Sequence, residues 1–377
     1  MLFEGGIHAV ADARRLARRR LPWMVFDYID GAAGDETGVG ANRQAFRSLH
    51  LRPRVLRNVS NRSLSVSLFG QEKTRPFGIS PMGMCNLATP GADLMLARLA
   101  ADFRVPHGVS TVSSTSMEEI LEASDGQAWF QLYFSGDGVG TVKLVERAKT
   151  AGYQTLVMTL DVPEVGRRPR ELRHGFKMPF RIGPRQFVDF ALHPRWSLST
   201  LLAGKPQMAN FDGRDYVFDR TESRAAADWE TFARLRELWP GKLVVKGVLH
   251  PEDATRLKQS GADAIQVSSH GARQLESVLP PVLALQEIRK ELGEGFPLFY
   301  DSGICSGEDI VKACAMGADY VFLGRALLFA LAADGERGLR QLWDVLSEEV
   351  SLTLAQTGLT EVPTGQNRNA LELVRAS

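Results

Sequence analysis

Cysteine is scarce in this chain: Cys85, Cys305 and Cys314 are the three in 377 residues, and they lie far apart. That excludes a disulfide framework, and no CxxC or His/Cys cluster has the spacing of a structural zinc site. A reducing, cytoplasmic setting fits such usage. An excess of one charge is missing too. The formal net charge of +1 offers no basic surface for general nucleic-acid binding. No apolar run reaches the length of a membrane span, and the N-terminus has no apolar signal region. Its basic residues, Arg14, Arg15, Arg18, Arg19 and Arg20, read as the solvated face of a first helix that Pro22 follows. What is present is an ordinary globular composition, 44% hydrophobic and 24% charged, with a sizeable core in prospect. The length suits two or three average domains, or one α/β barrel with insertions.

From residue 77 onward, short apolar runs alternate with amphipathic stretches. The strand candidates are Phe77–Ser80, Val105–Thr111, Trp129–Tyr133, Thr155–Asp161, Leu243–Gly247, Ala264–His270, Pro297–Gly303 and Tyr320–Arg325. Each is short and apolar, as strands buried on both faces are. Helical patterns lie between them, among them Asp93–Asp102, Met117–Ala123, Val139–Ala151, Pro281–Leu292 and Glu308–Gly317. Eight such units predict a (β/α)8 TIM barrel, with residues 1–76 as a helical cap carrying a short β element and 77–377 as the barrel of one domain. An open doubly wound sheet is the runner-up, but no GxGxxG follows the first strand. About eighty residues separate the fourth and fifth strands. The part at about 180–215 lacks clean periodicity and reads as an irregular, mobile insertion.

Catalytic groups of a barrel sit where strands end and loops begin. Those positions here carry Ser80-Pro81-Met82-Gly83, Ser110 with Thr111, Gln131 with Tyr133, and Thr159 with Asp161 followed by Arg167 and Arg168. They continue with Lys246-Gly247, Ser268, His270 and Arg273, then Asp301-Ser302-Gly303 and Gly324-Arg325. Lysine, aspartate and glutamine are poor choices inside an apolar strand unless paired or used. The densest set is His270-Gly271-Ala272-Arg273. A histidine can take a proton near neutral pH, and an arginine can grip a carboxylate through two parallel hydrogen bonds. Together they suit chemistry on the carbon beside a carboxylate. Gly303, Gly307, Gly324 and Arg325 suit a phosphate after the last two strands. Lys246 at the barrel mouth would face a group that becomes anionic, as a reduced flavin does.

Several long motifs, in order, carry a resemblance over nearly the whole chain. They include Leu21-Pro22 through Phe26-Asp27-Tyr28, Trp129-Phe130-Gln131-Leu132-Tyr133, Val244-Val245-Lys246-Gly247, His270-Gly271-Ala272-Arg273-Gln274-Leu275 and Asp301-Ser302-Gly303. The chain resembles the FMN-dependent L-2-hydroxy acid oxidases and dehydrogenases, most of all their mandelate dehydrogenase branch. In that branch the segment matching 180–215 mediates membrane association. The resemblance implies oxidation of a small 2-hydroxy acid to the 2-oxo acid, with electrons passing to a quinone, another carrier or oxygen. It implies a homotetramer and peripheral contact with the cytoplasmic membrane face. FMN would contact Pro81, Met82, Gly83, Ser110, Gln131, Thr159, Lys246 and Ser268, with its phosphate near Asp301, Ser302, Gly303, Ile304, Cys305, Gly324 and Arg325. His270 would be the base, steered by Asp161. Arg168 and Arg273 would bind the substrate carboxylate, and Tyr28 and Tyr133 would hydrogen-bond to substrate.

The chain departs from the family pattern at three places. Ser269 stands for Asn, Glu276 for Asp, and Cys305 for an arginine that meets the FMN phosphate. The loss at Cys305 either weakens FMN binding or shifts the load to Arg325 or a basic residue of another loop. Val112 replaces a bulky tryptophan of the short-chain members, which favours a larger or aromatic acid over glycolate. The alternative function is a flavin-binding scaffold or regulator without turnover, motivated by Ser269 and Cys305. A flavin-free sugar-phosphate isomerase is a third reading, one with no use for Lys246 or the two arginines.

Overall fold

The computed structural model describes residues 6–134, 138–176, 182–211 and 223–375. The chain opens with helices α1 (Val10–Arg20), α2 (Trp23–Asp30) and α3 (Thr37–Arg47), then strands β1 (Leu49–Arg52), β2 (Val66–Leu68) and β3 (Gln71–Lys73). The Arg14 guanidinium forks onto the buried Asp30 carboxylate, so the basic first helix is partly tied down. Antiparallel β2 and β3 form a hairpin, and Phe69 at its tip packs on Trp129 and Phe299 from the barrel interior.

Eight parallel strands then close a barrel: β4 (Phe77–Met82), β5 (His107–Ser110), β6 (Ala128–Tyr133), β7 (Thr155–Thr159), β8 (Lys242–Val248), β9 (Ala264–Val267), β10 (Leu298–Tyr300) and β11 (Tyr320–Leu323). Helices α4 (Ala92–Phe103), α5 (Met117–Ala123) and α6 (Val139–Ala151) connect the first of these, and α10 (Trp229–Leu238) precedes β8. Next come α11 (Pro251–Gln259), α12 (Pro281–Leu292), α13 (Gly307–Met316) and the long α14 (Arg325–Thr357). The expected (β/α)8 barrel is what the chain builds. Alternation along each strand sorts the inward side chains. Trp129, Phe299 and Phe322 stack low in the barrel. Gln131 and Asp301 follow Trp129 and Phe299 two residues on, and buried Lys246 and Gln266 pair across β8 and β9, so polar groups gather above the aromatic layer.

Five strands are shorter than expected, ending at Ser110, Thr159, Val267, Tyr300 and Leu323. After Val267 and Tyr300 the chain turns through His270, Ala272 and Ser302, which hold positive φ and so break the extended run at the mouth. Gly247 is obligatory in the same sense. Its φ is +96°, and an added Cβ would lie 2.5 Å from Asp161.

The crossover after β7 departs from expectation. Among its described residues, helices α7 (Pro169–Arg173), α8 (Pro184–Leu192) and α9 (Pro194–Ala203) precede α10, each starting with the proline that suits a helix's first turn. Trp196 turns inward, and its indole N–H donates to the Leu87 carbonyl at 2.8 Å. Asn210 is buried, accepting from Met117 N–H and donating to Ser113 Oγ. These contacts replace the irregular segment read from sequence, because buried polar anchors leave no apolar period to see. Phe180, Arg181 and residues 212–215 of that segment lie outside the described residues.

Candidate active site

One cavity of about 430 Å³ opens at the C-terminal mouth of the barrel, a size that accommodates a cofactor or small ligand. Of the expected residues, Tyr28, Pro81, Met82, Gly83, Tyr133, Arg168, Lys246, His270 and Arg273 line it. Asp301, Ser302, Gly303, Ile304, Cys305, Gly324 and Arg325 line its far end. Ser110, Gln131, Thr159, Asp161 and Ser268 lie around or beneath it, joined by hydrogen bonds. Arg167 is exposed, and its carbonyl accepts from Gly34 N–H.

His270 projects from the turn after β9. Its Nδ1 lies 2.9 Å from Asp161 Oδ1, which leaves Nε2 as the ring nitrogen available to the cavity. Burial pushes the Asp161 carboxyl up, but His270 and Lys246 outweigh it and hold it below the usual carboxylate range. Asp161 is therefore an anion across neutral pH.

Lys246 is buried on β8 and donates to Ser268 Oγ at 2.7 Å, with Asp301 Oδ2 at 3.2 Å. Burial alone would lower its ammonium, yet Asp301 and Asp161 more than offset that and hold it above its ordinary value. Asp301 is the hub of this layer, accepting also from Ser268, Ser302 and Gln266. Gln131 joins three neighbouring strands, donating to Thr159 Oγ1 at 3.1 Å and accepting from Ser110 Oγ at 3.2 Å. Both tyrosines stay protonated because burial raises them further. The Tyr28 hydroxyl donates to the Gly83 carbonyl, and its ring stacks on Phe176 at 4.5 Å.

Arg168 and Arg273 converge on one buried carboxylate that the sequence did not single out. Glu171 Oε1 accepts from Arg168 Nη1 at 2.8 Å and from Arg273 Nη2 at 3.0 Å. Burial, then the neighbouring Arg168, pushes Arg273 down to about 10 despite Glu171. Two buried cations against one anion leave one positive charge for a ligand carboxylate. Arg168 Nε is buried with no partner among the described residues, so a donor is still to be satisfied there. The Glu171 pattern, three residues after Arg168 on α7, is a helical spacing that could have been noticed. Arg224 was also missed. Its guanidinium lies 4.8 Å over the Tyr133 ring.

The departures from the family pattern are absorbed locally. Ser269 Oγ accepts from Asn42 of α3 at 3.0 Å. Glu276 accepts from the Thr37 and Asp35 N–H groups at the start of α3. The Cys305 thiol faces the Arg43 guanidinium, also from α3, so a cation from elsewhere in the chain stands where none was supplied at 305.

The cavity suits a phosphorylated flavin. An added Cβ at Gly324 would meet nothing nearer than Met82 Sδ at 3.9 Å, so the start of α14 is uncrowded there. Lys246 supplies a fixed cation, and the upper barrel layer offers amide and hydroxyl groups for a ring's polar edge.

A closed parallel barrel whose mouth carries a histidine–aspartate pair, two arginines on one buried glutamate and a glycine-bearing cationic end matches the flavin-binding barrel class of oxidoreductases. The chain belongs to the FMN-dependent dehydrogenase family, which matches residues 17–370. It is 40% identical to (S)-mandelate dehydrogenase of Pseudomonas putida over 365 residues, covering 94% of this chain and 91% of the relative. It is 38% identical to L-lactate dehydrogenase of Pseudomonas syringae pv. syringae over 371 residues, covering 94% and 96%. Among solved structures it superposes on the monotopic membrane protein (S)-mandelate dehydrogenase with a TM-score of 0.92, at 39% identity, over 98% of this chain and 100% of that one. A mandelate oxidase structure matches with a TM-score of 0.83 at 35% identity, over 98% of each chain. FMN is the family's cofactor, and this protein is an FMN-dependent oxidoreductase.

Proposed function

We propose that this enzyme oxidises an L-2-hydroxy acid to the 2-oxo acid, with a larger or aromatic acid of the mandelate kind, or lactate, as substrate. The observation that carries the reading is the buried Arg168–Glu171–Arg273 cluster beside the His270–Asp161 pair at one barrel mouth. The two guanidiniums take the substrate carboxylate and so fix the 2-carbon. The Tyr28 and Tyr133 hydroxyls hydrogen-bond to the substrate. His270 Nε2 takes a proton as the 2-carbon is oxidised, and Asp161 holds the ring and stabilises the resulting cation. Lys246 offers positive charge where negative charge develops. FMN, when bound, supplies the two-electron acceptor that no side chain provides. Pro81, Met82, Gly83, Ser110, Gln131, Thr159, Lys246 and Ser268 would hold its ring, and Asp301–Cys305, Gly324 and Arg325 its phosphate end.

Val112, Met208 and Phe176 on the cavity wall support an apolar or aromatic substrate tail. Tyr28 comes from the cap and the base from the barrel, so cap and barrel act as one domain in this reading. Anaerobic bleaching of the bound flavin by a 2-hydroxy acid is the test, since a silent flavin scaffold would stay coloured.

Peripheral association with the cytoplasmic membrane face belongs to the same proposal. No described helix is long and apolar enough to cross a membrane. The outer faces of α8 and α9 expose Phe187, Val188, Leu192, Leu198, Leu201 and Leu202, an apolar area that suits a lipid interface. A quinone or another carrier reached there fits as electron acceptor. A homotetramer is the assembly that the family resemblance favours.

A further inference from the structure

The far end of the cavity holds more unspent positive charge than its own loops supply. Arg325 donates to the Gly271 carbonyl at 2.8 Å and to the Asp30 carbonyl at 3.3 Å. Among the described residues neither Arg325 nor Arg43 has a carboxylate at ion-pair distance. Both guanidiniums line the same end of the cavity, with the Cys305 thiol against Arg43. Burial lowers Arg325, and Arg43 lowers it further although Asp30 pulls the other way.

Two helices begin here, and only one is open to an anion. The first turn of α13 is already capped: Asp309 accepts from Cys305 N–H at 2.9 Å and Glu349 from Gly307 N–H at 2.6 Å. The start of α14 at Gly324 has no side-chain cap, and an added Cβ there would meet only ordinary contacts, Met82 Sδ at 3.9 Å and Ser80 Cβ at 4.0 Å. An anion would therefore sit toward α14, between Arg325 and whatever cation approaches from the opposite wall. That wall is α3. It is held close by a tight approach, since an added Cβ at Gly303 would lie 3.1 Å from Asn42 Cβ. Asn42 also donates to Ser269 Oγ at 3.0 Å, which fixes the helix turn from which Arg43 projects.

We propose that Arg43, carried on the N-terminal cap, is a ligand of the FMN phosphate and supplies the cation that position 305 lacks. The cofactor then bridges cap and barrel, with a dianionic phosphate between Arg43 and Arg325. This rests on the family's cofactor and on the phosphate lying at the Gly303–Gly324 end of the cavity. Arg43 is largely exposed, so its contribution weakens with salt.

The test compares FMN with riboflavin, which has the same ring and no phosphate. Dissociation constants are measured on apo-protein by quenching of flavin fluorescence, at low and high salt. Arg43→Ala is expected to weaken FMN on the order of tenfold at low salt, less at high salt, and to leave riboflavin unchanged. Arg43→Lys should recover part of the loss. Cys305→Arg should not tighten FMN, because Arg43 already fills the role. Equal losses for FMN and riboflavin, or no loss for either, would overturn the assignment, as would marked tightening by Cys305→Arg. If the wild-type protein bound riboflavin as tightly as FMN, the phosphate placement itself would fail, which is a separate result from a silent Arg43→Ala.

Discussion

Asp161→Asn keeps the size of the side chain and removes only its charge. Asp161 Oδ1 lies 2.9 Å from His270 Nδ1, with both groups largely buried. Because Asp161 is held below the usual carboxylate range, it is charged when His270 takes its proton. A hydrogen bond to a charged partner contributes about 1.5–3 kcal/mol. At about 1.4 kcal/mol per decade, its loss slows flavin reduction about 10- to 150-fold. His270→Ala removes the base itself and costs about a hundred- to ten-thousand-fold. Both variants should keep FMN, since neither side chain is placed at the phosphate end. The assay is anaerobic stopped-flow reduction with saturating (S)-mandelate, with FMN content and oxalate affinity measured alongside. Oxalate affinity is expected to hold in Asp161→Asn, because Arg168 and Arg273 are tied to Glu171 while Asp161 is tied to His270. Near wild-type reduction in either variant would refute the reasoning, and so would a larger loss from Asp161→Asn than from His270→Ala.

Arg273→Lys should raise the substrate dissociation constant and slow reduction together, since a lysine cannot reproduce the planar fork now shared with Glu171 and the Gly31 carbonyl; unchanged oxalate binding would count against the clamp. Asp93, buried at the start of α4, has its carboxyl raised by burial to about 6, against hydrogen bonds from Cys85, Ser114 and Thr115. Between about pH 4 and 6 the folded state keeps a proton that the unfolded chain has lost, so this group's stabilisation is present at low pH and fades as pH rises, by roughly 3 kcal/mol. Urea midpoints across that window should fall with pH in the wild type relative to Asp93→Asn, and parallel curves would show that Asp93 does not titrate there. Leu201→Ser with Leu202→Ser should reduce sedimentation with anionic vesicles while leaving flavin reduction intact; a wild-type protein that never sediments with vesicles ends the membrane proposal.

The barrel was legible because its strands repeat one pattern, an apolar run ending in a polar group on the inward parity. Trp129-Phe130-Gln131-Leu132-Tyr133 shows it within a single strand. The turn residues were less so, since positive φ at His270 and Ser302 depends on contacts that only the closed barrel provides. Helices α8 and α9 escaped notice although Pro184 and Pro194 mark their first turns. Their apolar residues face outward and their anchors, Asp189 and Trp196, do not repeat at a helical period toward the core. Arg43 and Glu171 illustrate a different limit. Arg43 acts on a loop more than two hundred residues away in sequence, and Glu171 matters because Arg273 folds back onto it. Long-range pairs of that kind leave no local trace.

The central claim is tested most directly by anaerobic titration of the FMN-loaded protein with (S)-mandelate, L-lactate and glycolate, following the visible flavin absorbance. The account predicts full bleaching by one L-2-hydroxy acid with recovery of the matching 2-oxo acid, and weaker or slower bleaching by glycolate than by the larger acids. A flavin that binds yet stays oxidised with all three acids would contradict it.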